Sequence, residues 1–317
     1  MTDGSPAAGS RPRRAFALIV LAAAALTFVV IVASAYMRHA QAGLSCPAWP
    51  ECYARVASGP GDEARASGVP TARIAHRLAA TLVTGAIALA LLLAWMQRPA
   101  WRREGRLVAT ALLIVAALAV LGIATPGARL PAVVLGNLLG GYLLLAVLAA
   151  VGAAALDPAP APARARALAL AALAVAFAQA TLGGLIGAQH AALACPGLTD
   201  CGAWSWREFA SGGSWSPLRA PVTSGGHYVA AAGAAGLHVL HRVGALAVAA
   251  LALAVAVALW RTRPRFAPVL VVAVGIAAGL GIAAAATGPT LGRVVLHNAA
   301  AALLIALLAV AAGHSRR

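Results

Sequence analysis

The sequence predicts an all-α integral membrane protein in which eight transmembrane helices form two tandem four-helix bundles. Three observations predict it. The chain is 62% hydrophobic and 10% charged, with a mean hydropathy of +0.87, so most of it cannot be the half-polar surface of a soluble globule. Apolar windows of about 20 residues, the length that crosses a bilayer, recur eight times between short polar breaks. The landmarks of the first half then return in the same order in the second, the signature of an internal repeat.

In chain order, residues 1–14 read as a polar tail whose Arg11, Arg13 and Arg14 stand just before the first window, 15–37. That window is longer than the apolar part of a signal peptide and no convincing small-residue cleavage site ends it, so it reads as the first helix. A long loop, 38–70, carries "CPAWPEC", and windows 71–96, 107–125 and 131–154 complete a first unit over 15–155. The Pro/Ala/Arg stretch at 156–166 reads as a semi-rigid, exposed linker. The second unit, 167–312, has windows 167–189, 236–260, 267–287 and 291–312, with "CPGLTDC" in its long loop 190–235, and residues 313–317 form a short tail. Each unit is a four-helix bundle, an architecture whose core holds cofactors on facing helices.

A formal charge of +16 would point to nucleic acid in a soluble protein, but here position matters more than the sum. Arg98, Arg102, Arg103 and Arg106 lie between the second and third windows, Arg164 and Arg166 between the fourth and fifth, Arg261, Arg263 and Arg265 between the sixth and seventh, and Arg316 and Arg317 end the chain. With eight spans all of these fall on one side, which predicts that both termini are cytoplasmic. Basicity is topology, and no nucleic-acid partner is needed. The two long loops then face an oxidising compartment such as the bacterial periplasm, where each Cys-x5-Cys pair, Cys46 with Cys52 and Cys195 with Cys201, can close a local disulfide. A metal site is the competing reading, although tetrahedral zinc sites use tighter cysteine spacing with a second pair nearby.

The repeat places histidines at matched depth. "RIAHRLAATLVTGAIALALLL" (73–93) and "HVLHRVGALAVAALALAVAVAL" (238–259) each put His-Arg a few residues inside a span, after a cysteine loop. "LGIATPGARLPAVVLGNLLGGYLLL" (121–145) matches "LGIAAAATGPTLGRVVLHNAAAALLIAL" (280–307). His76, His241 and His297 lie at one level, about five to seven residues from the outer end of their spans, or roughly 7–10 Å deep. Ionisable groups inside a bilayer are costly and mark functional sites. His241 and His297 face each other as candidate axial ligands of one haem iron; the alternative is a pair of buried hydrogen-bonding residues. His238, one turn before His241, is a candidate supporting residue or lines the mouth of the pocket. Arg77 and Arg242 either neutralise haem propionates or snorkel to the interface. In the first unit Gly136 stands opposite His297 with Asn137 next to it, so His76 either holds a haem from one side only or the first pocket binds none.

Together these pieces resemble the haem A synthase family (Cox15/CtaA) of cytochrome oxidase assembly, over about residues 15–312. The resemblance rests on "GLSCPAWPECY" (43–53), "AHR" (75–77), "QATLGGLIGAQHAALACPGLTDCGAW" (179–204), "LHVLHRVGA" (237–245) and "LGI" followed by "LHNAAAALL" (296–304). It implies a b-type haem, structural or electron-transferring, held by His241 and His297, and a pocket for haem O as substrate around His76. It also implies oxidation of a haem O methyl group to the formyl group of haem A, with activity linked to Cys46 and Cys52. Haem O, an electron donor, haem O synthase and oxidase assembly factors are the implied partners besides membrane lipid, in a bacterial inner membrane. Two positions depart from the family pattern: Arg73 stands where a glutamate precedes the first histidine motif, and Asn137 stands where a histidine precedes LLGG.

Two functions compete. One is the oxidation of haem O; the other is a haem-binding assembly factor of the same fold whose first unit has lost catalysis. A di-haem electron-transfer subunit fits less well, because the first unit lacks a second histidine. No Walker loop, dinucleotide fingerprint or serine elbow occurs in a suitable context.

Overall fold

Each apolar window has its helix in the computed structural model, which describes residues 7–46, 48–56, 68–125, 130–157, 161–201 and 204–313. Among these residues eight helices are long and apolar enough to cross a membrane. They are α1 (Ala7–Gln41), α2 (Val69–Met96), α3 (Arg102–Ala124), α4 (Pro131–Leu156), α5 (Ala163–Ala188), α7 (Ala234–Leu259), α8 (Phe266–Thr287) and α9 (Leu291–Ala312). Several outrun the windows that announce them. Hydropathy marks only the apolar part, whereas the backbone ladder runs on through Arg102–Arg106 at the start of α3 and through Arg38 and His39 at the end of α1. α1 stops where Gly43 takes a left-handed φ of 91°, against a backbone that leaves no room for a side chain: a Cβ there would lie 2.7 Å from the Cys52 carbonyl oxygen. Proline opens α4 and lies in the first turn of α2, where its missing N–H costs nothing.

The ends of the sequence-based units shift accordingly. Residues 7–14 of the expected tail already belong to α1, and residues 163–166 of the expected linker belong to α5. Residues 1–6, 158–160 and 314–317, with Arg316 and Arg317, lie outside the described residues. The second long loop also contains more structure than the sequence reading gave it. A short helix, α6 (Trp206–Gly212), starts at Ser205, whose side chain accepts from the Glu208 N–H, half of a capping box. A hairpin, β1 (Val222–Ser224) with β2 (His227–Val229), turns at Gly225 and Gly226, both at positive φ, as tight hairpins require.

Helix packing repeats with the sequence. α1 packs on α2 and α4, and α3 on α2 and α4; likewise α5 packs on α7 and α9, and α8 on α7 and α9. Between the halves α4 packs against α9, with α1 against α9 and α5 against α4 as a matched pair. The main apolar cluster runs through both halves, so the two rings of four are fused rather than separate. Lipid offers apolar side chains as good a solvent as a helix does, so close approach through small residues decides which faces meet. Gly152 of α4 is one such point: a Cβ there would lie 2.7 Å from the Leu21 side chain of α1.

Gly152→Leu should therefore lower the thermal midpoint of the purified protein, at an overpacking cost of about 1–3 kcal/mol. Gly275→Leu, where a Cβ would meet nothing within 4 Å, should leave the midpoint unchanged. Equal effects would contradict this packing.

Candidate functional site

In the second half, α7 and α9 bring the rings of His241 and His297 together edge-on, with centroids 6.3 Å apart and planes at 75°. Each ring lies over a glycine on a neighbouring helix. A Cβ at Gly183 of α5 would be 2.9 Å from His241 Cε1, and one at Gly281 of α8 would be 3.1 Å from His297 Cε1. His297 Nδ1 lies 3.0 Å from the Ala277 carbonyl, to which it must donate, so its Nε2 is left as the lone-pair nitrogen. That is the tautomer fixed in metal-ligating histidines by a hydrogen bond on the far nitrogen. His241 Nδ1 is buried without a hydrogen-bond partner, a cost that a metal bond at Nδ1 itself would remove.

The spacing fits an iron between the rings. Two imidazole–metal bonds of about 2 Å each, plus about 1 Å from each nitrogen to its ring centre, give ~6 Å.

The two neighbours of His241 on the same helix hold the second cysteine loop. His238 Nε2 donates to the Ala191 carbonyl at 2.8 Å. Arg242 donates to the Gly197 carbonyl at 2.8 Å, to the Leu198 carbonyl and to Cys201 Sγ. Sequence reasoning offered Arg242 a propionate or the interface; the structure gives it the loop. Cys201 is bonded to Cys195, with Cα atoms 4.2 Å apart.

The first half is different. Here α1–α4 and the outer loops enclose a cavity of about 1900 Å³ that reaches His76, Arg77 and Asn137, larger than the ~300–1,000 Å³ of most small-ligand pockets. Arg38, Arg55 and Arg73 also line it, and no carboxylate does among the described residues. Asn137 Nδ2 donates to the Val133 carbonyl of its own helix at 3.1 Å, so its cavity-facing polarity rests on the amide oxygen. Gly136, the residue opposite His297 in the repeat, is not part of the lining; a Cβ there would lie 2.9 Å from Leu121. Gly122, matched to Gly281, does line the cavity and a Cβ there would meet nothing within 4 Å. The face of Gly122, matched to the face of Gly281 that the His297 ring covers, is thus open to the cavity.

Both loops build the roof of this cavity. Cys46 and Cys52, bonded with Cα atoms 6.3 Å apart, lie in its wall. The β1–β2 hairpin of the second loop docks on the first: Tyr228 N donates to Ala54 O at 2.7 Å, Val56 N to Gly226 O at 2.8 Å, and the His227 Nε2–H to Glu51 O at 3.0 Å. His190, at φ 52°, stacks on Tyr228 with ring centroids 4.5 Å apart. Burial pushes the Tyr53 phenol up to about 12, against the opposing effect of the Ala192 N–H that donates to its oxygen at 3.3 Å. It stays neutral and joins the two loops.

The structure thus brings together His241 with His297, and separately His76, Arg77, Asn137, Cys46 and Cys52 around one cavity. Sequence reasoning missed Arg38, Arg55 and His190 in that lining. Arg38 carried the same signal as the histidines, an ionisable side chain at the outer end of an apolar run. His190 carried none, because only the docked hairpin puts it over the first half.

Non-reducing peptide mapping should recover Cys46 linked to Cys52 and Cys195 linked to Cys201, with no thiol open to alkylation before reduction. A Cys46–Cys195 link would contradict the two local loops.

The sequence profile of the family described as COX15-CtaA, cytochrome oxidase assembly protein, matches residues 17–309. Comparison with curated proteins finds no significant match. The matched range takes in nearly all of the chain and both sets of site residues, and the chain belongs to the COX15-CtaA family of cytochrome oxidase assembly proteins.

Proposed function

We propose that this chain is a haem A synthase-type oxidoreductase, oxidising the methyl group of haem O to the formyl group of haem A for cytochrome oxidase assembly. The half-buried His241–His297 pair, with ring centroids 6.3 Å apart, beside a large histidine-lined cavity in the other half, is the observation that supports it best. His241 and His297 would hold a b-type haem, which when bound would supply one-electron transfer. His76 holds haem O from one side, while Arg38, Arg73 and Arg77 offer its propionates charge-assisted hydrogen bonds. His238 and Arg242 act on the site indirectly, by fixing the loop over α7. The Cys46–Cys52 bridge shapes the mouth of the substrate cavity. We place the protein in a bacterial inner membrane with both termini cytoplasmic and the cysteine loops periplasmic, on the arginine distribution. Its partners are then an electron donor, haem O synthase and oxidase assembly factors.

A second reading is a haem-binding assembly factor without catalysis. The substitution of an acid by Arg73 and of a ligand by Asn137, both in the cavity wall, favours it. The two readings separate on one experiment: haem extracted from a host that makes haem O, with and without this protein. New haem A supports the enzyme; unchanged haem O supports the second reading.

The haem assignment has its own test. His241→Ala and His297→Ala should each abolish the low-spin bis-histidine spectrum of the purified protein, whereas His76→Ala should leave it largely intact. Gly183→Val should shift or weaken the same spectrum, since the added side chain enters the space of the His241 ring. Loss of the signal in His76→Ala, with retention in both other histidine variants, would put the haem in the wrong half.

A further inference from the structure

The second cysteine loop carries an apolar surface that neither histidine site uses. Trp206, Trp215 and Leu218 are 62%, 51% and 74% exposed, and all three belong to one short stretch, 206–218, that folds back on itself. On α6, Trp206 and Phe209 meet edge to face, and Arg207 and Glu208 between them are exposed. The helix ends at Gly213, which takes a left-handed φ of 73°. Two carbonyls of its last turn are then taken up by side chains. The Trp215 Nε1–H donates to the Ala210 carbonyl at 3.1 Å, and Arg219 Nη1 donates to the Gly212 carbonyl at 2.6 Å. The one polar atom of the Trp215 ring is therefore used inside the segment, and what the ring presents outward is apolar.

Three contacts fix the level of this stretch. The Ala132 N–H in the first turn of α4 donates to the Pro217 carbonyl at 2.8 Å. The Gln189 side chain, at the C-cap of α5, donates to the Ser216 carbonyl at 3.2 Å. Phe209 packs against Leu135 of α4, Leu185 of α5 and Leu237 of α7. The stretch thus lies against the ends of three spans on the side of the cysteine loops. The headgroup layer of a bilayer is roughly 5–7 Å deep on each side of the hydrocarbon, about one helical turn, so apolar surface at this level meets lipid. Tryptophan is favoured there because its large ring suits a boundary between apolar and wet surroundings. We propose that residues 206–218 form an interfacial anchor, with Trp206, Trp215 and Leu218 seated among the headgroups and upper acyl chains of the leaflet on the cysteine-loop side. Side chains cap both ends of α6, by Ser205 at its start and by Trp215 and Arg219 at its end, so little unpaired backbone is carried into that layer. The anchor requires no haem. Residues 219–221 run from it directly into β1, and the hairpin docks on Ala54 and Val56 over the first half. Lipid contact at the anchor therefore holds down the strand pair that roofs the large cavity.

The test uses the full-length protein in phosphatidylcholine nanodiscs. All four native cysteines are paired, so a nitroxide label attaches to a single engineered thiol. On Leu218→Cys the label should be relaxed more by oxygen than by a water-soluble nickel chelate. On Thr223→Cys, exposed in β1, the chelate should dominate. Phosphatidylcholine brominated high on its acyl chains should quench tryptophan fluorescence. Trp206→Phe and Trp215→Phe should each remove part of that quenching, and Trp49→Phe, in the first loop, should remove none. Trp206→Ser combined with Trp215→Ser should speed amide exchange at Val56 and Tyr228, whose N–H groups hold the docked hairpin, and leave exchange in the spans unchanged. A Leu218 label as open to the chelate as the Thr223 label, or quenching that neither Phe variant lowers, would overturn the anchor in favour of a surface facing water. A Leu218 label closed to both reagents would overturn it in favour of a contact with protein. Unchanged exchange at Val56 and Tyr228 in the double Ser variant would overturn the link from the anchor to the roof.

Discussion

The contact of α4 with α9 is the constraint on which the rest of the molecule depends. In a bilayer, helices gain nothing by hiding apolar surface from lipid, so association has to come from close packing and from the few polar groups that reach across. α4 and α9 supply both. They hold the largest sets of buried residues among the helices of their respective halves, and the Tyr142 hydroxyl of α4 meets the carbonyl and side-chain oxygens of Asn298 on α9 at 3.3 and 3.4 Å. α1 and α5 dock on this pair from opposite sides in the matched way the repeat requires. The other four spans complete the two rings around it.

Those two central helices also carry the residues that make the halves chemically unlike. α9 contributes His297, whose ring is fixed by the Ala277 carbonyl and by the absence of a side chain at Gly281. α4 contributes Asn137, with Gly136 against Leu121 and the space beside Gly122 open. The same backbone therefore yields a filled, two-imidazole site on one side and a roomy cation-lined cavity on the other. An arginine-lined space with no carboxylate among its described lining residues suits an anionic amphiphile, and the loops of both halves close over it.

Much of this was legible in the sequence because a bilayer imposes strong, simple signals. The eight spans follow from length and hydropathy, and the pairing of His241 with His297 from depth and repeat. What was not legible depends on contacts between distant segments. The hairpin at Gly225 and Gly226 carries a turn signal, but nothing local says that it docks on Ala54 and Val56 and places His190 over the other half. The fate of Arg242 is a similar case, since only the folded loop brings the Gly197 and Leu198 carbonyls to it. Register was the other limit. The repeat set Gly136 against His297, whereas Asn137 and not Gly136 lines the cavity, and one residue on a helix is a turn of about 100°.

The central claim is that the first cavity is a haem pocket lacking one axial ligand, and one measurement addresses it directly. In Asn137→His, with the second-half histidines untouched, electron paramagnetic resonance should show a second low-spin bis-histidine signal beside the original, and the added signal should vanish when His76→Ala is combined with it. An unchanged single signal from folded Asn137→His protein, or a second signal that survives without His76, would contradict the account.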